Sequence, residues 1–204
     1  MTNASSPHDG APPPGLRRTV GTVAALNLGY FGVEFWAALA LGSVALFADS
    51  MDFLEDASVN LLILLALGWS LRARARVGAL LALILIAPVA ATVWTAWDQI
   101  VDPTPPDAVA LSAVALGALG VNLTCALLLA RFRAASGSLT RAAFLSARND
   151  AFANLAIMAA GVVTLAWPSI WPDLVVGLAI AALNIDAAWE VWEAARKERL
   201  AVTP

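Results

Sequence analysis

Long apolar stretches alternate with short polar breaks along nearly the whole chain. Six such stretches run near Thr19–Leu41, Ser43–Ser70, Val77–Ile100, Ala108–Arg131, Leu139–Trp167 and Asp173–Ala195. Each reaches the roughly 20 mostly apolar residues that a helix needs to cross a hydrocarbon core of about 30 Å. The breaks carry turn or charge signals: Gly42-Ser43, the Arg72/Arg74/Arg76 cluster, Asp102 to Pro106, Ser136-Gly137-Ser138, and Pro168 to Pro172. The apolar runs are continuous and lack the period-2 alternation of a transmembrane barrel strand. The pattern therefore predicts an all-α membrane protein of six transmembrane helices.

Polar side chains interrupt this pattern inside the spans, and unevenly. The first span holds Asn27 and Glu34, and the second holds Asp49, Asp52, Glu55, Asp56 and Asn60. The fifth holds Ser146, Arg148, Asn149, Asp150 and Asn154, and the sixth holds Asn184 and Asp186. The third is almost purely apolar, and the fourth has only Asn122, Thr124 and Cys125 in its middle. Four helices are thus expected to build a polar interior, with two as scaffold. At about 100° per residue, Asp49, Asp52 and Asp56 share an arc of roughly 60° on the second helix. Ser146, Asn149, Asp150 and Asn154 share a broad face of the fifth, with Arg148 turned away. At about 1.5 Å rise per residue, Asp52, Asp56 and Asp150 all fall near the middle of the bilayer.

Composition agrees with a membrane solvent: 60% of residues are hydrophobic and 13% charged, where a soluble domain averages about 25% charged. Charge then sets the orientation. Arg17 and Arg18, the Arg72 cluster, Arg131, Arg133 and Arg141, and Arg196, Lys197 and Arg199 fall in alternate loops, on one side. The opposite loops carry Asp98, Asp102, Asp107 and Asp173 and no Lys or Arg. By the positive-inside rule both termini are cytoplasmic, in the cell's cytoplasmic membrane. Trp94, Trp97, Trp167 and Trp171 flank the outer ends, and Trp69, Trp189 and Trp192 the inner ones, as interfacial aromatics do. Cys125 is the single cysteine and the single histidine, His8, lies in the Pro- and Ser-rich tail, so no disulfide and no soft-metal cluster is available.

A charged side chain at the bilayer centre costs about 2.5–3.5 kcal/mol on insertion scales, and persists where it pairs, lines a cavity or does chemistry. Several carboxylates with amide oxygens at one depth make the oxygen-rich site that hard divalent cations use. The candidate metal set is Asp52, Asp56 and Asp150, with Ser146, Asn149, Asn154 and Asp49 around them. Whether Asp49 is a ligand or an outer-shell base stays open. Like charges this close are not all ionised together without a cation between them. An empty site should take up protons that an arriving ion displaces, which is metal–proton exchange. Single membrane Asn residues such as Asn27, Asn60, Asn122 and Asn184 more often hold helices together by hydrogen bonds. Glu34, Glu55, Arg148 and Asp186 serve equally as buried ion pairs or substrate contacts, and Cys125 reads as packing.

The second span, Gly42-Ser43 through Asp49, Asp52 and Asp56, resembles that of the cation diffusion facilitator family of metal–proton antiporters, in which Gly-Ser, small and apolar residues and an Asp precede (H/D)xxxD. The fifth span, Ser146 to Asn154, is similar to the family's second (H/D)xxxD helix, and the Asn27 to Glu34 spacing also fits. The resemblance covers about Leu26 to Ala195. It implies that Asp52, Asp56 and Asp150 are ligands, and that a homodimer exports zinc or a similar ion in exchange for protons while its helices rock around a central site. Two departures stand out. Ser146 occupies the place of a histidine usual in zinc carriers, which removes the ligand that best favours zinc over harder ions. The second is an expectation: with about nine residues between Ala195 and Pro204, the chain reads as a member without the cytoplasmic metal-binding domain that most carry. The expected organisation is a disordered tail (1–17), a transport domain (18–196) and a short tail (197–204).

Other classes fit less well. An aspartyl intramembrane protease needs a Gly-x-Gly-Asp segment, and a rhomboid type needs Gly-x-Ser-x-Gly with a membrane His; neither is present. A non-transporting accessory subunit leaves the layered carboxylates unexplained, and a carrier of another cation, organic or proton, is the remaining alternative. The expected partners are the cation, the lipid bilayer and a second copy of the chain, with no enzyme activity, prosthetic group or nucleic acid.

Overall fold

The computed structural model describes residues 15–66, 89–132 and 138–185. Within them the chain forms six helices and no strand: α1 (Leu16–Leu41), α2 (Val44–Ala66), α3 (89–101), α4 (Ala108–Ala130), α5 (Ser138–Ala166) and α6 (Trp171–Ile185). The expected spans correspond to these helices in order. His8, Trp69, the Arg72 cluster, Arg133, Asp186, Trp189, Trp192 and the last basic cluster lie outside the described residues. α1 begins at Leu16, so Arg17 and Arg18 lie in its first turn rather than before it.

The bundle is apolar outside and holds a set of polar side chains among the apolar residues inside. Trp36, Leu127 and Leu183 are among its exposed residues, while Asn27, Glu34, Asp49 and Asn154 are fully buried. Such a distribution suits a hydrocarbon solvent and inverts that of a soluble protein. α1, α4 and residues Ala143–Ala166 of α5 are long and apolar enough to cross a membrane, and the described part of α6 is a shorter apolar helix. Trp94, Trp97, Trp167 and Trp171 are all exposed.

α1 packs along α2 and α4 along α5, with α1 against α4 and α2 against α5 closing the set. Ala45, Leu46, Phe47 and Met51 of α2 meet Leu111 and Ala115 of α4, Ile157 of α5 and Ile180 of α6 in the main apolar core. A second core joins Val23 to Cys125, Ala126, Leu129, Ala143 and Ala147, so Cys125 packs as expected. Alanines recur in both seams, which lets helix backbones approach closely in lipid.

The α1–α2 turn is the most heavily bonded point of the fold. Gly42, at φ 63°, takes the left-handed conformation that ends α1. Ser43 then starts α2, its Oγ accepting from Leu46 N at 3.1 Å and its carbonyl from Phe47 N at 3.1 Å. The next two donors, Val44 N and Ala45 N, go to Asp173 of α6 at 2.7 and 3.4 Å, and Ser43 Oγ donates to the same carboxylate at 2.6 Å. The first-turn N–H groups of α2 are thus all satisfied without water. Gln99 of α3 donates to Gly42 O at 3.0 Å and reaches Asp173 at 3.4 Å. This corrects two expectations. Asp173 is a fully buried helix-capping anion rather than a charge in a solvated loop, and the third helix adds a polar tie through Gln99. The negative carboxylate at the positive end of α2 explains why Asp173 is held there.

Gly177, one turn beyond Asp173, lets α6 lie against the start of α2: a Cβ there would come within 2.6 Å of the Val44 carbonyl carbon. Gly177→Ala is therefore expected to destabilise the bundle by about 1–3 kcal/mol through overpacking. Gly120→Ala, where a Cβ meets nothing within 4 Å, should leave stability unchanged. Thermal unfolding of both variants in detergent checks the contrast.

Candidate functional site

The polar residues of α2 and α5 fall on the helix faces that meet inside the bundle, and a cavity of about 250 Å³ opens between α2, α5 and α6. α2 contributes Asp52, Glu55 and Asp56, and α5 contributes Ser146, Asn149, Asp150 and Ala153. Ile180, Leu183 and Asn184 of α6 form the third wall. From the helical rise, the α2 lining begins about 12 Å below the Gly42 end and continues away from it.

Asp56 is the best-held acid in this cavity. Ser146 Oγ donates to its Oδ1 at 2.9 Å, and Asn27 Nδ2 of α1 reaches its Oδ2 at 3.4 Å. Cys125 Sγ of α4 lies 3.5 Å from Asn27 Oδ1 and steadies that amide. Asn60 donates to the Asp56 carbonyl at 2.7 Å, within the helix. Asp52 differs, since its Oδ1 is buried and has no hydrogen-bond partner among the described residues. Asp150 stands across the cavity on α5, and its carbonyl accepts from Asn154 Nδ2 at 2.9 Å. Asn149 is exposed and accepts from Arg148 at 3.2 Å, so the described hydrogen bond of Arg148 goes to an amide oxygen.

The candidate residues therefore separate. Asp52, Asp56, Asp150, Ser146 and Asn149 line the cavity, joined by Glu55 and Asn184. Asp49 and Asn154 are buried beyond its wall, toward the Gly42 end. Asn27, expected to join helices, does so by bonding a cavity carboxylate. Among the described residues no three His, Cys, Asp or Glu side chains close round a single point. The lining nevertheless offers carboxylate, hydroxyl and amide oxygens with no nitrogen or sulfur ligand, a donor set for a hard cation.

A helical bundle with an apolar skin and a carboxylate-lined interior defines a membrane carrier for cations. The chain belongs to the cation efflux family, whose transmembrane domain model matches residues 22–197. Members of this family are transporters rather than enzymes, so the protein is a membrane transporter that moves cations outward. Comparison with curated proteins finds no match.

Cys125 is fully buried, which allows a test of the cavity. Wild-type protein should stay unmodified by a hydrophilic thiosulfonate reagent. In a Cys125→Ala background, Asn184→Cys and Asn149→Cys should both react, as read by mass shift. Reaction at native Cys125, or two inert introduced thiols, would contradict this geometry.

Proposed function

We propose that the protein exports a divalent metal ion from the cytoplasm across the cytoplasmic membrane in exchange for protons. The observation that supports this most is the cavity in which Asp52, Asp56 and Asp150 face one another across α2 and α5. In this reading the Gly42 end points outward, and the cavity collects the ion from the opposite, cytoplasmic side. Asp52 has a free oxygen for the incoming ion, whereas Asp56 is oriented beforehand by Ser146 and Asn27. Asp150 and Asn149 complete the shell from α5.

The exchange follows from charge. Acids gathered at this depth repel each other and lose hydration, so the cavity without metal holds protons. A divalent ion replaces them by neutralising the same oxygens, and proton return resets the site. Ser146 in place of an imidazole shifts preference from zinc toward harder ions such as manganese or iron. Helix movement around this site alternates access, and a homodimer formed through the membrane helices is the assembly the family resemblance implies.

The test is metal flux into proteoliposomes, scanning Zn, Cd, Co, Mn and Fe with a trapped pH dye. Asp56→Asn and Asp150→Asn are each expected to lower flux at least tenfold, equivalent to about 1.4 kcal/mol or more. Ser146→His should raise zinc transport relative to manganese. Flux unchanged in both aspartate variants, or metal entry that moves no protons, would overturn the corresponding part of the proposal.

A further inference from the structure

Three side chains beyond the cavity carry buried oxygen atoms without a hydrogen-bond partner among the described residues. Glu34 of α1 and Asp49 of α2 lie with their carboxyl groups against each other, and Asn154 of α5 sits beside Asp49. All three are fully buried. By strict hydrogen-bond geometry, both oxygens of Glu34, both of Asp49 and Oδ1 of Asn154 have no partner among the described residues. Asn154 gives one N–H of Nδ2 to the Asp150 carbonyl at 2.9 Å and keeps a second beside Asp49, while its Oδ1 has no partner among the described residues. From the helical rise, Glu34 and Asp49 sit about 8 to 10 Å below the Gly42 end, nearer to it than any acid of the cavity.

Even with the second Asn154 N–H given to one Asp49 oxygen, four buried acceptor oxygens are left without a donor, which is costly unless something positive sits among them. One proton shared between the two acids would satisfy one carboxyl contact and leave the other oxygens, including that of Asn154, unpaired. A cation satisfies all of them at once. We infer that Glu34, Asp49 and Asn154 form a second, oxygen-only binding station for the transported divalent cation, between the cavity and the Gly42 end. Asp52, whose buried Oδ1 is also unpartnered, stands between the two stations and is placed to pass the ion from one to the other.

Beyond this station the Asp173, Ser43 and Gln99 bonds tie α2, α3 and α6 together. An ion held at Glu34 and Asp49 has therefore left the cavity but not passed the Gly42 turn. The role as a transport intermediate rests on the proposed efflux function; its occupancy can be measured without transport.

The experiment is equilibrium dialysis of purified protein in nanodiscs against Zn²⁺ alone and Mn²⁺ alone, counting bound metal per chain by mass spectrometry. Wild type is expected to bind two equivalents of at least one ion. Glu34→Gln should lose one equivalent while the Asp56→Asn, Asp150→Asn double variant loses the other. Thermal unfolding confirms that each variant is folded; should Glu34→Gln fail to fold, the milder Asn154→Ala, expected to weaken the same equivalent about tenfold, replaces it. One equivalent in wild type, lost only in the double variant, overturns the second station and leaves the proposed function standing. Two equivalents that both survive Glu34→Gln likewise overturn it. No binding of either ion overturns both.

Discussion

The structure depends on one buried carboxylate meeting one helix terminus. In hydrocarbon no water is present to satisfy the first four N–H groups of a helix, so a span that starts inside the bundle must find acceptors in the protein. Asp173 supplies them to α2, together with Ser43, and its charge is itself stabilised by the N-terminal end of the helix dipole. Neither group is tolerable alone in that place. Together they fix α6 against the start of α2, and Gln99 adds α3 to the same point.

Anchoring α2 at that end sets the depth of every acid it carries. Asp49 falls first, beside Glu34 of α1, and Asp52, Glu55 and Asp56 follow at the cavity. The polar interior is thus two layers rather than one. The lower layer is open and already partly organised by Ser146 and Asn27, while the upper layer is closed and has more acceptor oxygens than donors among the described residues. A gradient of this kind suits transfer, because a site that bound the cation with a complete rigid shell would release it slowly.

Much of this was legible in order along the chain. Hydropathy gave the existence and sequence of the helices, since roughly 20 apolar residues leave few alternatives. α2 was found by the same apolar length despite its four acids, and the shared face of Asp49, Asp52 and Asp56 then marked which side of it turns inward. The same periodicity joined Asp56 to Ser146 and Asp150. Asp173 was misplaced, because a carboxylate beside Trp171-Pro172 at the end of a span has the appearance of an interfacial loop charge. Gln99 went unnoticed for a similar reason, standing near the tip of an otherwise apolar segment.

The sequence by itself determined that this is a helical cation carrier of the membrane with acids within its apolar spans, because solvent exclusion and helical period act on local order. Only the tertiary structure decided which acids share a cavity, which face each other in a second layer, and which caps a neighbouring helix. Those outcomes depend on the rotation and approach of helices far apart in the chain, set by small contacts such as Gly177 against Val44. A residue's period places it on a face, but the neighbour it meets there is settled only by packing.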